Sequence, residues 1–153
     1  MIDLKGKPFY LSDEDISWVE ETIGSMSLEE KIGQLFCPVG FTKDKELLKP
    51  LLEKNIAGIM YRSGPAAEIQ ETQRWLQENS RIPLLLPANL EAGGTGSVEE
   101  GTNFGKPLQA AATDDGMEGY HLGKISCTEG AAAGINWSFA PIVDIDNNWR
   151  NPI

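Results

Sequence analysis

The stretch PLLLPANLEAGGTGS, residues 83–97, begins like a core strand and ends like a binding loop. Leu84, Leu85 and Leu86 make the short apolar run that a strand buried on both faces carries. Asn89 and Glu91 then interrupt it with polar groups, and Gly93, Gly94 and Gly96 follow at once. A strand that only fills a core needs neither feature. A strand that delivers polar side chains to a site uses both, because strand ends and the loops after them carry function in α/β folds.

The chain on either side repeats the strand pattern. "QLFCPV" (34–39), "IAGIMY" (56–61) and "INWSFAPIVDID" (135–146) are short apolar segments, which with 83–90 give four strand candidates, the last extending to about 144. Helical patterns alternate with them. Ser12 precedes the acidic turn Asp13–Asp15 and the spaced apolar residues Ile16, Val19 and Ile23. Ser27-Leu28-Glu29-Glu30 is a capping box, with Leu28, Ile32 and Leu35 on one face beyond it. Residues 45–55 are amphipathic, with Pro50 marking a break or a start. Residues 66–80 and 113–134 complete the set, and a polar, glycine-rich loop covers 91–107. Strands that do not alternate cleanly are those of parallel sheets covered by helices. The expected class is therefore α/β with parallel βα repeats, as a barrel or as an open sheet.

Composition narrows the function. The chain of 153 residues is long enough for one domain with a real core. Its formal charge is −10, from 23 acidic and 13 basic residues, and no Lys/Arg cluster stands out, so nucleic acid is excluded as a partner. No apolar run reaches the length of a membrane span. Acidic residues stand in the first 18 positions where a leader needs an apolar centre, and a cytoplasmic protein is expected. Cys37 and Cys127 are far apart, form no metal-ligand spacing and read as buried free thiols.

The glycine loop admits three readings. A phosphate cradle needs a helix opening directly at the glycines, and a polar stretch intervenes here. Gly101-Thr102-Asn103-Phe104-Gly105-Lys106 has three residues between its glycines where a P-loop has four, and Pro107 stands where Ser or Thr belongs. A plain surface loop leaves the order strand, Asn89, Glu91, double glycine unexplained. The third reading is a sugar site, with polar groups at a strand end and small residues that admit a ring.

Four segments decide among these. "MSLEEKIGQLF", "AGIMYRSG", "LQENSRIPLLLPANLEAGG" and "GINWSFAPIVDID", in this order, resemble the N-terminal domain of the family 3 glycoside hydrolases. The resemblance runs from about Ser27 to Ile153, and the stretch Gly134–Asp144 is its most specific part. Residues 1–26 are then a lead-in with its own helix, and 27–153 part of the family domain.

That resemblance implies a TIM-like (β/α)8 barrel and an exo-acting retaining β-glycosidase of the β-N-acetylhexosaminidase or β-glucosidase type. Such a mechanism uses two groups flanking the glycosidic bond, ordinarily carboxyls about 5 Å apart. The family's nucleophilic Asp and its acid/base groups lie downstream of the Phe-Ala-Pro strand, so no catalytic residue is expected here. A whole barrel takes about 200–250 residues or more. Four strands are half of one, and the reading is a truncated first half whose partner is the missing C-terminal half of the barrel. Alone it is expected to be inactive, a non-catalytic remnant with weak carbohydrate binding being the alternative.

The resemblance assigns substrate-binding positions residue by residue. Asn89 falls near the family Asp that holds the outer hydroxyls of the terminal sugar; Asn keeps the hydrogen bonds and loses the charge. One extra residue precedes the double glycine, and the family Arg that follows the glycines is not visible. Asp144 matches the Asp after the Phe-Ala-Pro strand, ordering the barrel mouth or, more sharply, acting as a carboxylate in catalysis. Asp146, two residues on, would share its strand face. Glu91 takes a structural hydrogen bond or a substrate contact, with the first favoured. Arg150 and Trp149 line the site entrance or cover the barrel rim. His121 is expected to face solvent from its helix, Trp18 and Trp75 to be packing residues, and the sequon Asn136-Trp137-Ser138 to lie on a buried strand. No metal or cofactor is implied.

Overall fold

The computed structural model describes residues 2–145 and 147–150. Among the described residues six helices are interspersed with short parallel strand segments: α1 Asp13–Ser25, α2 Leu28–Gly33, α3 Lys45–Glu53, α4 Ala66–Glu78, α5 Pro107–Ala111 and α6 Gly116–Ala132. Local chemistry sets their starts. Ser12 and Asp15 form a capping box before α1, and Ser27 and Glu30 do so before α2. The Asp115 carboxylate caps α6 by accepting from the Met117 N–H at 2.8 Å. Pro50 neither breaks nor starts a helix; it sits inside α3, which is short enough to lose one internal bond and persist.

Regular sheet is scarcer than the pattern implies. Among the described residues only β1 Pro87–Ala88 and β2 Trp137–Ser138 form a ladder, parallel, with Pro87 opposite Trp137 and Ala88 opposite Ser138. The other strand candidates appear as single parallel bridges, Val39 with Met60 and Gly58 with Leu85. Backbone bonds tie them in chain order: Met60 N–H donates to Pro38 O at 3.0 Å and Leu85 N–H to Ala57 O at 2.8 Å. The α/β reading with parallel βα order is thus met, while four full strands are not. The segment expected from residue 34 opens later, because Gln34 and Leu35 still belong to the turn that closes α2.

The core lies between the inner segments and the helices. Ile59, Leu86 and Ala88 pack with Ile69 and Leu76 of α4 and with Ala133 and Ile135 after α6. Residues 84, 86, 88 and 90 are all buried, whereas Leu85 and Asn89 are exposed. Successive strand residues point to opposite faces. One face of residues 84–90 therefore packs on helices, and the other is open at Leu85 and Asn89 but closed between them at Pro87, which is fully buried.

The two outer segments behave differently from the inner ones. Leu35, Phe36 and Phe41 on one side, and Val143, Ile145 and Trp149 on the other, are exposed, Phe41 at 92% and Ile145 at 84%. The apolar stripe Leu28–Ile32–Leu35 is exposed too, and so is Trp18, which is not a packing residue in this chain. Trp75, in contrast, packs against the core. Among the described residues no helix is long and apolar enough to cross a membrane.

Candidate functional site

The glycines after β1 do not form an open cradle. Gly93 has φ +115°, a conformation that side chains resist, and a Cβ there would strike the Thr102 carbonyl. A Cβ at Gly94 would strike the Glu129 carboxylate of α6. The space that a sugar or phosphate was expected to use is filled by the chain itself. Gly93 bridges Asn103, and the Phe104 N–H donates to Ala92 O at 2.7 Å. Residues 91–105 form a closed knot, neither a flexible loop nor a phosphate site, and within the stretch expected to be loop up to 107 a 3-10 turn at Gly94–Gly96 precedes α5.

Three ties hold the knot to the helices around it. Glu129 accepts from the Thr102 N–H at 2.7 Å and from its hydroxyl at 2.5 Å. Ser126, one turn earlier on α6, donates to Leu90 O at 3.0 Å. Glu100 reaches to α4 and accepts from the Ala66 N–H at 2.8 Å, supplying the cap that Pro65 cannot.

The predicted site residues are partly brought together. Asn89 lies one residue past the last ladder pair, exposed, on the open face of its strand. Paired residues of a ladder share a face. That face also carries Trp137, opposite Pro87, and Phe139, whose rings meet edge to face at 4.7 Å. Both rings are about two-fifths exposed, Trp137 at 41%, so the sequon strand is not buried as expected. Trp137 and Phe139 were legible as site candidates through the period-2 spacing Trp-Ser-Phe, once the face of Asn89 is known.

Glu91 is half-buried and beside a different feature. A cleft of about 460 Å³ opens between α5, α6 and the chain at 90–91 and 138–141. Glu91, Asp115, Ser126, Cys127 and Ser138 contribute polar groups to an otherwise apolar wall. Among the described residues no hydrogen bond engages the Glu91 side chain, so the structural bond expected for it is absent. Neither Asn89, Asp144 nor Arg150 lines this cleft.

Asp144 and Arg150 stand apart from both. Asp144 is exposed, six residues beyond the end of β2, on chain that belongs to no strand. Asp146 lies outside the described residues. Arg150 is exposed and stacks its guanidinium over the Trp149 ring at 5.0 Å. Trp149 is 83% exposed. His121 faces solvent, 3.7 Å from Glu118 on the same helix. Among the described residues no three His, Cys, Asp or Glu side chains converge on a metal position. Cys127 is exposed, contrary to expectation; Cys37 is partly buried, and burial pushes its thiol up. Burial also pushes the Tyr61 phenol up to about 12, where its hydroxyl donates to Thr42 O at 2.7 Å.

The family model "Glycosyl hydrolase family 3 N terminal domain" matches residues 27–153, and the chain belongs to that family. It is 42% identical over its whole length to a beta-N-acetylglucosaminidase/beta-glucosidase of Cellulomonas fimi. Across 88% of its length it is 26% identical to a periplasmic beta-glucosidase of Salmonella typhimurium. Among solved structures, a beta-glucoside phosphorylase BglX bound to 2FGlc superposes with a TM-score of 0.88 at 42% identity, over 98% of this chain. The chain spans 27% of the Cellulomonas protein, 17% of the Salmonella protein and 28% of the phosphorylase chain.

Proposed function

We propose that these residues are the first part of a retaining exo-β-glycosidase acting on β-glucosides or β-N-acetylglucosaminides. The carrying observation is the 42% identity over the whole chain to a protein named for both activities. On this reading the chain supplies the first four βα units of a (β/α)8 barrel. The exposed apolar side chains of the two outer segments support it, since they are the edges that further strands would cover.

Asn89 then contacts hydroxyls of the terminal sugar, and Trp137 and Phe139 offer apolar ring faces beside it. Glu91, Asp144 and Arg150 remain as secondary substrate-binding positions. The nucleophile and the acid/base group come from the chain beyond residue 153, and residues 1–153 alone are inactive. No cofactor takes part. The two unpaired cysteines support a reducing, cytoplasmic setting.

A second reading is favoured by the phosphorylase neighbours, at 42% and 41% identity. There the glycosyl group, once transferred to the enzyme, passes to phosphate rather than to water and leaves as a glycosyl phosphate. The test uses the native protein that contains this chain, with 4-nitrophenyl β-glucoside and β-N-acetylglucosaminide, with and without inorganic phosphate. Free sugar supports the hydrolase. Sugar phosphate, with a rate that rises with phosphate, supports the phosphorylase. Failure to cleave either glycoside under both conditions leaves a remnant with weak sugar binding.

A further inference from the structure

Glu129 occupies an unfavourable position unless it is needed there. It stands in the last turn of α6, where the helix dipole is negative and a carboxylate is disfavoured. Among the described residues it has no cationic partner, and α6 has no basic residue in that turn. Both of its oxygens instead engage one residue: Oε2 accepts from the Thr102 N–H at 2.7 Å, and Oε1 from the Thr102 hydroxyl at 2.5 Å.

Thr102 is the closing point of the glycine knot. Its carbonyl accepts from the Thr95 N–H at 3.5 Å and abuts Gly93, while Gly94 lies against the Glu129 side chain. Gly96 in turn packs directly on the Asn89 carbonyl. Ser126 holds Leu90 from the same face of α6, three residues before Glu129. One helix therefore grips both the entry of the knot and its exit, and Asn89 and Glu91 lie at the entry.

We propose that Glu129 is a positioning residue, whose carboxylate on Thr102 sets the placement of Asn89 and Glu91 without itself touching substrate. The proposal rests on the reading that Asn89 contacts sugar. A carboxylate suits the task because it accepts two charge-assisted hydrogen bonds at once and so holds backbone and side chain of the same residue together.

The test compares Glu129→Ala, Glu129→Gln, Asn89→Ala and the double variant Glu129→Ala/Asn89→Ala in the native protein that contains this chain. Misplacing a binding group by a fraction of an ångström is expected to raise KM for the aryl β-glycoside about tenfold in Glu129→Ala, with a smaller change in kcat. Glu129→Gln keeps an acceptor for the Thr102 hydroxyl and recovers part of the loss. In the Asn89→Ala background, Glu129→Ala raises KM by clearly less than it does alone, because the share of its effect that passes through Asn89 is already gone. A purely structural Glu129 would instead give additive losses, and that result overturns the proposal.

Backbone amide exchange separates this failure from failure of the glycosidase reading. In Glu129→Ala, exchange is expected to quicken at Thr102 and also through residues 89–97. If the wild-type protein cleaves no β-glycoside and that pattern still appears, the positioning stands and the glycosidase reading falls. Unchanged exchange at 89–97 overturns the positioning, whatever the activity.

Discussion

Asn136 splices two strand segments with its side chain: its carbonyl accepts from the Leu86 N–H at 2.7 Å and its amide donates to Leu84 O at 2.9 Å. The backbone adds a third bond, from the Asn136 N–H to Leu86 O at 3.1 Å. With a ladder only two residues long, this side chain substitutes for sheet hydrogen bonds that the strands do not make.

Asn136→Ala should therefore cost about 1–3 kcal/mol, because it orphans a buried backbone donor at Leu86. Asn136→Asp retains the acceptor and loses the donor, and should fall between. Urea unfolding of the purified chain measures both, and an alanine variant as stable as wild type would refute the splice.

The glycines divide into two groups with opposite expectations. Gly93→Ala meets both a positive φ and the Thr102 carbonyl, and should cost at least about 2 kcal/mol. Gly119 and Gly123 lie inside α6 with open space where a Cβ would go. Alanine at either should gain about 0.5–1 kcal/mol from helix propensity alone. Thermal melts check the contrast. A loss at Gly119→Ala in the native protein would mean that another part of that protein packs on this face.

Gln73 is 2% exposed, and among the described residues neither its amide nitrogen nor its amide oxygen has a partner. Replacing it by Met, similar in length and apolar, should raise stability by about 1–3 kcal/mol, since an unpaired buried polar group is removed. A drop in the melting temperature would show that the amide is engaged after all.

Glu30 contributes to the acid sensitivity of the chain. Its carboxylate accepts from the Ser27 N–H at 2.7 Å, the Asn55 amide at 2.8 Å and the Arg81 guanidinium at 2.5 Å. The Ser27 N–H leads in holding its pKa below the usual value, with the Arg81 charge and the Asn55 amide adding to it. A lowered folded pKa stabilises fully above the unfolded value and ceases to do so as pH falls through the folded one. Stability should thus drop on acidification below the ordinary glutamate range, and Glu30→Gln should flatten that limb. Equal slopes in the two proteins would assign the acid loss to other carboxylates.

Asn89→Ala in the native protein should raise KM for an aryl β-glycoside by about 10–100-fold, the loss of one or two good hydrogen bonds to sugar hydroxyls. Unchanged KM and kcat would reduce Asn89 to the end of a strand. Asn89→Asp, which keeps the acceptor oxygens and adds a charge, is the informative companion, and tighter binding is expected from it on the proposed reading.

Much of this protein was readable before any coordinates. The helix starts at Ser12 and Ser27 and the order of helices and strands are written in contacts a few residues apart. Family membership was readable for a related reason: motifs such as Gly134–Asp144 are contiguous, and the match over 27–153 follows them. The tertiary structure alone decided what the glycines are for and which apolar residues are buried. Gly93 needs its missing Cβ because Thr102 lies on it, and Gly94 because Glu129 does, contacts that span 9 and 35 positions (102 − 93 and 129 − 94). Leu35 and Leu86 have the same side chain, yet one is 82% exposed and the other 1%. Hydrophobicity states that a residue gains from burial, but only the packing of distant segments supplies the surface that buries it.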